Sequence, residues 1–186
     1  MVGDIPFVCG GYISSRYTTD CYELQESGAW KQSSNSLSTA RYHGGYAVMK
    51  NQLVVAGGSG GSGGRTIEVL SPTTRSRTLP VTLPEDSSGK PCVVPWDEDT
   101  FMVIGGSDKN GGSNKTFFVN MVTNKLSNGP KMHFRRNSHA CKEMTVNGET
   151  FIVVAGGTRS TATEVLSKSS KSNGWKRSEN FYINSV

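Results

Sequence analysis

The hydrophobic pattern of this chain is short and repetitive. Four times an apolar run leads straight into two glycines: Phe7-Val8-Cys9-Gly10-Gly11, Val54-Val55-Ala56-Gly57-Gly58, Met102-Val103-Ile104-Gly105-Gly106 and Val153-Val154-Ala155-Gly156-Gly157. The first glycines of these phrases lie 47, 48 and 51 residues apart. A fixed period near 50 with paired glycines predicts repeated β-sheet units. The runs are apolar at successive rather than alternate positions, which fits strands covered on both faces. Each glycine pair ends its strand where the backbone must take a positive φ or pass close to a neighbour.

Between these phrases the polar residues divide the chain into four units. Unit one, residues 1–34, opens on its glycine-pair strand, with a third strand at Asp20–Leu24 and a last strand carrying Trp30. Nothing before Phe7 is long enough to supply an innermost strand. Unit two, residues 35–82, has an innermost strand at Tyr46–Met49, a turn at Lys50-Asn51, the glycine-pair strand Gln52–Ala56, a flexible Ser59–Arg65 loop and a third strand at Thr66–Ser71. Unit three, residues 83–132, has strands at Pro91–Val94, Thr100–Ile104 and Lys115–Met121, with a weak last one near Lys125-Leu126. Unit four, residues 133–178, has strands at Ala140–Val146, Phe151–Ala155 and Thr161–Ser167, with Trp175 marking the fourth. Its Asn147-Gly148 turn is a strong hairpin signal. Residues 179–186 read as a connector toward a further unit.

Two echoes fix the register. Glu68-Val69-Leu70-Ser71 recurs as Glu164-Val165-Leu166-Ser167, and Trp30-Lys31 with Ser33 and Asn35 recurs as Trp175-Lys176 with Ser178 and Asn180. A Trp on the outer strand offers a large apolar wedge against the neighbouring unit.

With these residues in place, the chain resembles the kelch-repeat family of β-propellers. That family places an Arg and a His or Gly before the inner strand, an apolar run into Gly-Gly, an aromatic about a dozen residues later and a Trp on the last strand. Unit one matches through Gly10, Gly11, Tyr22 and Trp30, and unit two through Arg41, His43, Gly57 and Gly58. Unit four matches through Arg136, His139, Gly156, Gly157 and Trp175. Unit three keeps Gly105, Gly106 and Phe118 but lacks the Arg-His lead and the Trp. The resemblance implies an all-β, kelch-type propeller of about four blades of four-stranded antiparallel sheet, the first lacking its inner strand. Six blades are usual in the family and need about 290 residues, so the expectation is an open arc or incomplete propeller. Its two end blades would expose apolar faces suited to self-association.

Composition narrows the function classes. The net charge is +5, but no block of like charges marks a nucleic-acid or membrane-surface footprint. No run of 18 apolar residues is present, and Met1–Tyr12 lacks the plan of a secretory leader. The four cysteines do not have C-x-x-C spacing. Cys9 and Cys21 lie on adjacent strands, where either a bridge or two buried thiols fits; the packing reading is favoured, as it is for Cys92 and Cys141. The three histidines offer no metal-ligand spacing: His43 and His139 read as structural and His133 as isolated. No G-x-S-x-G elbow appears, and the Gly-rich loop after Gly58 lacks a following Lys-Ser/Thr.

The reading that remains is a non-enzymatic protein-interaction module without cofactor. Its loops after each glycine pair present Tyr12 and Arg16, Arg65, Asp108 and Lys109, and Arg159 to a protein partner. The family resemblance also implies two alternatives, a fragment of a substrate-recruiting adaptor and a fragment of a copper radical oxidase. A third reading is an extracellular recognition protein, supported by the Asn114-Lys115-Thr116 glycosylation triplet. A cytoplasmic location is slightly favoured over the extracellular one.

Overall fold

We describe a computed structural model covering residues 1–60, 64–85, 88–108, 111–158, 160–170 and 174–178. It contains four antiparallel sheets, none closed on itself, arranged in chain order. The first comprises β1 (Phe7–Cys9), β4 (Cys21–Leu24) and β5 (Trp30–Gln32), with a small hairpin of β2 (Tyr12–Ile13) and β3 (Arg16–Tyr17) inserted between β1 and β4. The second comprises β6 (Gly45–Met49), β7 (Gln52–Ala56), β8 (Ile67–Leu70) and β9 (Arg77–Thr78). The third is β10 (Cys92–Pro95), β11 (Thr100–Ile104), β14 (Thr116–Asn120) and β15 (Lys125–Asn128), with a second small hairpin of β12 (Ser107–Asp108) and β13 (Gly111–Gly112). The fourth is β16 (Ala140–Val146), β17 (Glu149–Ala155), β18 (Thr163–Ser167) and β19 (Lys176–Ser178).

The all-β class and the sheet positions agree with the pattern of the sequence, and the first sheet has three strands where the others have four. The two small hairpins stand where the sequence predicts loops after the glycine pairs. Their alternation is too short to register as strands, and only pairing across the turn makes them so. Tight turns close the β6–β7 and β16–β17 hairpins with positive φ at both central residues, 48° and 57° at Lys50 and Asn51 and 51° and 78° at Asn147 and Gly148. Those dihedrals match the right-handed twist of the flanking strands.

Each sheet rests on the next through dry apolar contact. Phe7 and Cys21 of the first sheet meet Leu53, Val55 and Leu70 of the second. Val54, Ala56, Ile67 and Val69 on the other side of the second sheet meet Val93, Phe101, Val103 and Val119 of the third. Met102, Ile104 and Phe118 of the third meet Ile152, Val154, Leu166 and Trp175 of the fourth. Successive residues of each glycine-pair strand therefore point to opposite neighbours. The residues one and three before the first glycine face forward to the following sheet, and the residue two before it faces backward. This explains why those strands are apolar throughout.

The two tryptophans occupy matching positions but differ in environment. Trp175 is 4% exposed, and its Nε1 donates to Pro130 O at 2.9 Å. Trp30 is 51% exposed. The expected wedge forms only at Trp175, because the backward face of the first sheet has no sheet behind it among the described residues.

The glycine pairs make the sheet-to-sheet contact possible. The second glycine of a unit donates its N–H to the lead-in of the next: Gly11 to Arg41 O (2.8 Å), Gly58 to Ser88 O (2.8 Å) and Gly106 to Arg136 O (3.1 Å). A Cβ on Gly10, Gly57 or Gly105 would collide with those same carbonyls. Gly156 has a φ of 68°, close to the 66° of Gly57, yet a Cβ there would meet nothing within 4 Å among the described residues.

The lead-ins are held by two buried ion pairs. Arg41 donates to Gly57 O, Thr66 O, Thr66 Oγ1 and the Glu68 carboxylate. Arg136 donates to Gly156 O and Ala162 O and pairs with Glu164 at 2.7 Å. The Glu of each repeated Glu-Val-Leu-Ser word thus has a structural task that its sequence context did not show. Each carboxylate is satisfied further by backbone N–H groups, from Ser38 and Thr39 at Glu68 and from His133 and Phe134 at Glu164. Those added bonds offset the cost of burying charge.

A matched pair of substitutions separates backbone strain from close approach. Gly156→Ala is expected to cost about 1 kcal/mol, the strain of a left-handed residue. Gly57→Ala is expected to cost roughly 3 kcal/mol or more, because the chain must also move away from Ser88 O. Urea unfolding midpoints of the two variants check this.

Candidate functional site

The lead-in segments also shape the most notable part of the surface. Strand register makes Arg41, Ser88 and Arg136 equivalent, each four residues before a leading-strand residue (Gly45, Cys92 or Ala140) that pairs with the end of the glycine-pair strand. By the same register His43, Lys90 and Ser138 are equivalent, and all three have positive φ, at 58°, 50° and 51°. His139 therefore matches Gly44, not His43. The one-residue offset puts the two histidines in opposite surroundings: His43 is exposed, whereas His139 is partly buried with both ring nitrogens shielded from solvent.

Leading strands β6, β10 and β16 lie side by side. Where they begin they bound a depression of about 560 Å³, lined by His43, Tyr46, Lys90, Pro91, Ser138 and His139 among others. Cys92 and Cys141, on β10 and β16, form a disulfide across this depression, with their Cα atoms 6.0 Å apart. Cys9 and Cys21 form a second disulfide directly across the β1–β4 pair. The favoured reading of four packing thiols is thus corrected. The pairing of Cys92 with Cys141 joins two units, and a contact of that range depends on how sheets stack, which spacing does not reveal.

Beside the depression stands an exposed aromatic cluster. Tyr17 stacks on Tyr42 with centroids 5.2 Å apart and planes 6° from parallel, Tyr12 lies 5.5 Å from Tyr17 and 5.8 Å from Tyr42, and the Tyr42 and His43 rings are 4.3 Å apart. Tyr12 and Tyr17 remain 58% and 44% exposed. The β2–β3 hairpin supplies Tyr12, Tyr17 and the exposed Arg16, and the lead-in of the second sheet supplies Tyr42 and His43. Gly60 passes closely over the Tyr17 ring, where a Cβ would have no room. Partial desolvation, then the positive charge of Lys90, lowers the pKa of His43, so at neutral pH it offers an uncharged ring.

Of the loop residues picked from the sequence, Tyr12 belongs to this cluster, while Arg16 is exposed on the same hairpin, paired with Ile13 rather than with the tyrosines. Arg65 is instead tied to the start of the next unit, its Nε donating to Leu83 O at 2.7 Å. Asp108 lies at the end of β12. Lys109 and Arg159 lie outside the described residues, as do Asn110, Asn180 and the 179–186 connector. Tyr17 and Tyr42, the stacked pair of the cluster, are not singled out by the sequence. Their sequence signal is a Tyr in each of two segments 25 residues apart, and only packing of the hairpin on the next lead-in unites them. Asn114 of the glycosylation triplet is half-buried, and its Nδ2 donates to Met132 O at 3.1 Å. His133, read as isolated, interacts through Nδ1 with Glu164 at 3.0 Å.

Among the described residues no group of three or more His, Cys, Asp or Glu side chains is placed to hold a metal ion. Compared with known proteins, the chain matches no family model and has no significant match to a curated protein.

His139 packs between Gly105 and Gly157. Neither of its ring nitrogens has a hydrogen-bond partner among the described residues. Desolvation, then the charge of Arg136, lowers its pKa to about 4, while a backbone interaction at Ile104 pulls weakly the other way without meeting hydrogen-bond geometry. The folded state thus resists a proton that the unfolded chain takes up near pH 6.5. This contribution to stability is complete above pH 6.5 and lost as pH falls toward 4, to a total of about 3 kcal/mol. Denaturant titrations at pH 7 and pH 4.5 should show a smaller pH effect in His139→Gln than in the native chain.

The Cys92–Cys141 bridge closes a long loop and ties two sheets together. Replacing both cysteines with Ala should lower unfolding free energy by about 4 kcal/mol on chain-entropy grounds. Calorimetry of the double variant beside the native chain measures the loss.

Proposed function

We propose that this chain is a non-enzymatic protein-interaction module built as an open arc of a kelch-type β-propeller, with its first blade short of an inner strand. The family pattern of Arg, Gly-Gly and Trp supports the propeller reading. So does the regular stacking of forward face on backward face, with leading strands β6, β10 and β16 gathered round one depression. The observation that carries the binding reading is the surface cluster of Tyr12, Tyr17 and Tyr42, with the exposed Arg16 on the same hairpin. Tyrosine and arginine are among the side chains that dominate protein interfaces, and tyrosine buries large area at small entropy cost. Neighbouring Arg16 and Lys90, and the +5 charge of the chain, favour an acidic segment as the partner.

The two disulfides favour an extracellular recognition protein over a cytosolic recruiting adaptor, because bridges of this kind persist in oxidising compartments. Free thiols would have favoured the cytosol instead.

A peptide-display library panned on the immobilised full chain tests the interaction reading. Acidic peptides with an aromatic residue should be enriched. Tyr12→Ala and Arg16→Glu should each weaken their binding about tenfold or more, with thermal unfolding unchanged. Peptides that bind both variants as well as the native chain would place the interaction elsewhere.

A further inference from the structure

Every internal junction in this molecule joins a forward face to a backward face. Two faces of these opposite kinds remain uncovered among the described residues. The forward face of the fourth sheet carries Met144, Val146, Phe151, Val153 and Val165 around an apolar groove of about 310 Å³, with Met144 48% and Val146 53% exposed. The backward face of the first sheet carries Val8, Tyr22, Leu24 and Trp30, which the strand register sets side by side, with Val8 50% exposed.

We propose that a second copy of this chain covers the forward face of the fourth sheet with the backward face of its own first sheet. The occupant follows from the junctions inside the molecule. Val8 is the counterpart of Val55, Val103 and Val154, the residues that each later sheet inserts against the sheet before it. Leu24 is the counterpart of Leu70 and Leu166, both fully buried at such junctions. On the receiving side, Val153 matches Val54 and Met102, which are buried by the following sheet. The uncovered faces are therefore the two halves of a junction that the chain makes three times internally. Pairing forward with forward has no precedent in the molecule. The contact is heterologous, with a donor end and an acceptor end on each copy, so it propagates head to tail unless the rotation closes it. It is separate from the tyrosine cluster and stands or falls without it.

The test is complementation between two variants of the full chain, Val8→Glu and Val153→Glu. In sedimentation equilibrium the native chain should show a mass above that of one chain, rising with concentration. Each variant alone should remain monomeric, since each has lost one half of the contact. Mixed in equal amounts they should form a one-to-one dimer, joining the intact fourth sheet of Val8→Glu to the intact first sheet of Val153→Glu. Native-like circular dichroism and cooperative unfolding establish that each variant folds. Trp30→Glu with Met144→Glu, at positions about half exposed, forms a second pair should either of the first fail to fold. A native chain that stays monomeric at all concentrations, a variant that assembles alone, or a mixture that stays monomeric would each overturn the proposal.

Discussion

The structure depends on one constraint: neighbouring sheets must come close enough to exclude water while the chain passes from one to the next. The glycine-pair strands of the second and third sheets place apolar side chains against both neighbours, and the glycines that follow must let the next lead-in through. In the first three units a side chain at the first glycine would occupy the space of a carbonyl oxygen, and the second glycine's N–H binds that same carbonyl. Backbone bond and apolar contact are therefore made at one place by one residue pair, which is why the phrase recurs with little variation.

Polar groups at this crossing are satisfied locally. Arg41 and Arg136 reach into the unit they lead and bind the carbonyls left by its glycine pair, with Glu68 and Glu164 as counter-ions. Each carboxylate also caps the backbone N–H groups of the preceding segment. Removing one member would leave a buried charge with only neutral partners, so the two act as a unit. The third sheet manages without such a pair, with Ser88 at the arginine position. The Cys92–Cys141 bridge lies at the following crossing, tying the third sheet to the fourth in addition to the Arg136–Glu164 pair.

The same crossing builds the candidate site. A lead-in that must turn through a positive φ at His43, Lys90 or Ser138 brings its flanking side chains to the rim of the central depression. The β2–β3 hairpin, hanging from the first glycine pair, then lays Tyr12 and Tyr17 on Tyr42. Tyrosines drawn from two units are thus held as one rigid surface by the packing that joins the sheets. The position carries the binding reading because the cluster spends apolar area on solvent that the fold could have buried.

Sequence by itself determined the class of fold, the places of the sheets, the glycine pairs and the shortage of one strand in the first sheet. These are local or periodic features, and strand periodicity, turn chemistry and the repeat distance express them within a few dozen residues. Other properties rest on which unit touches which, and through which face. They include the Cys92–Cys141 pairing, the task of Glu68 and Glu164, the opposite environments of Trp30 and Trp175, the hydrogen bond of Arg65 to Leu83 and the tyrosine cluster. The offset between His43 and His139 shows the reason most plainly: both follow an arginine within three residues, yet one residue of register sends one ring to solvent and the other between two glycine pairs. Only tertiary structure could decide that, because side-chain direction in a strand changes with every residue, while the repeat is legible only to within two or three.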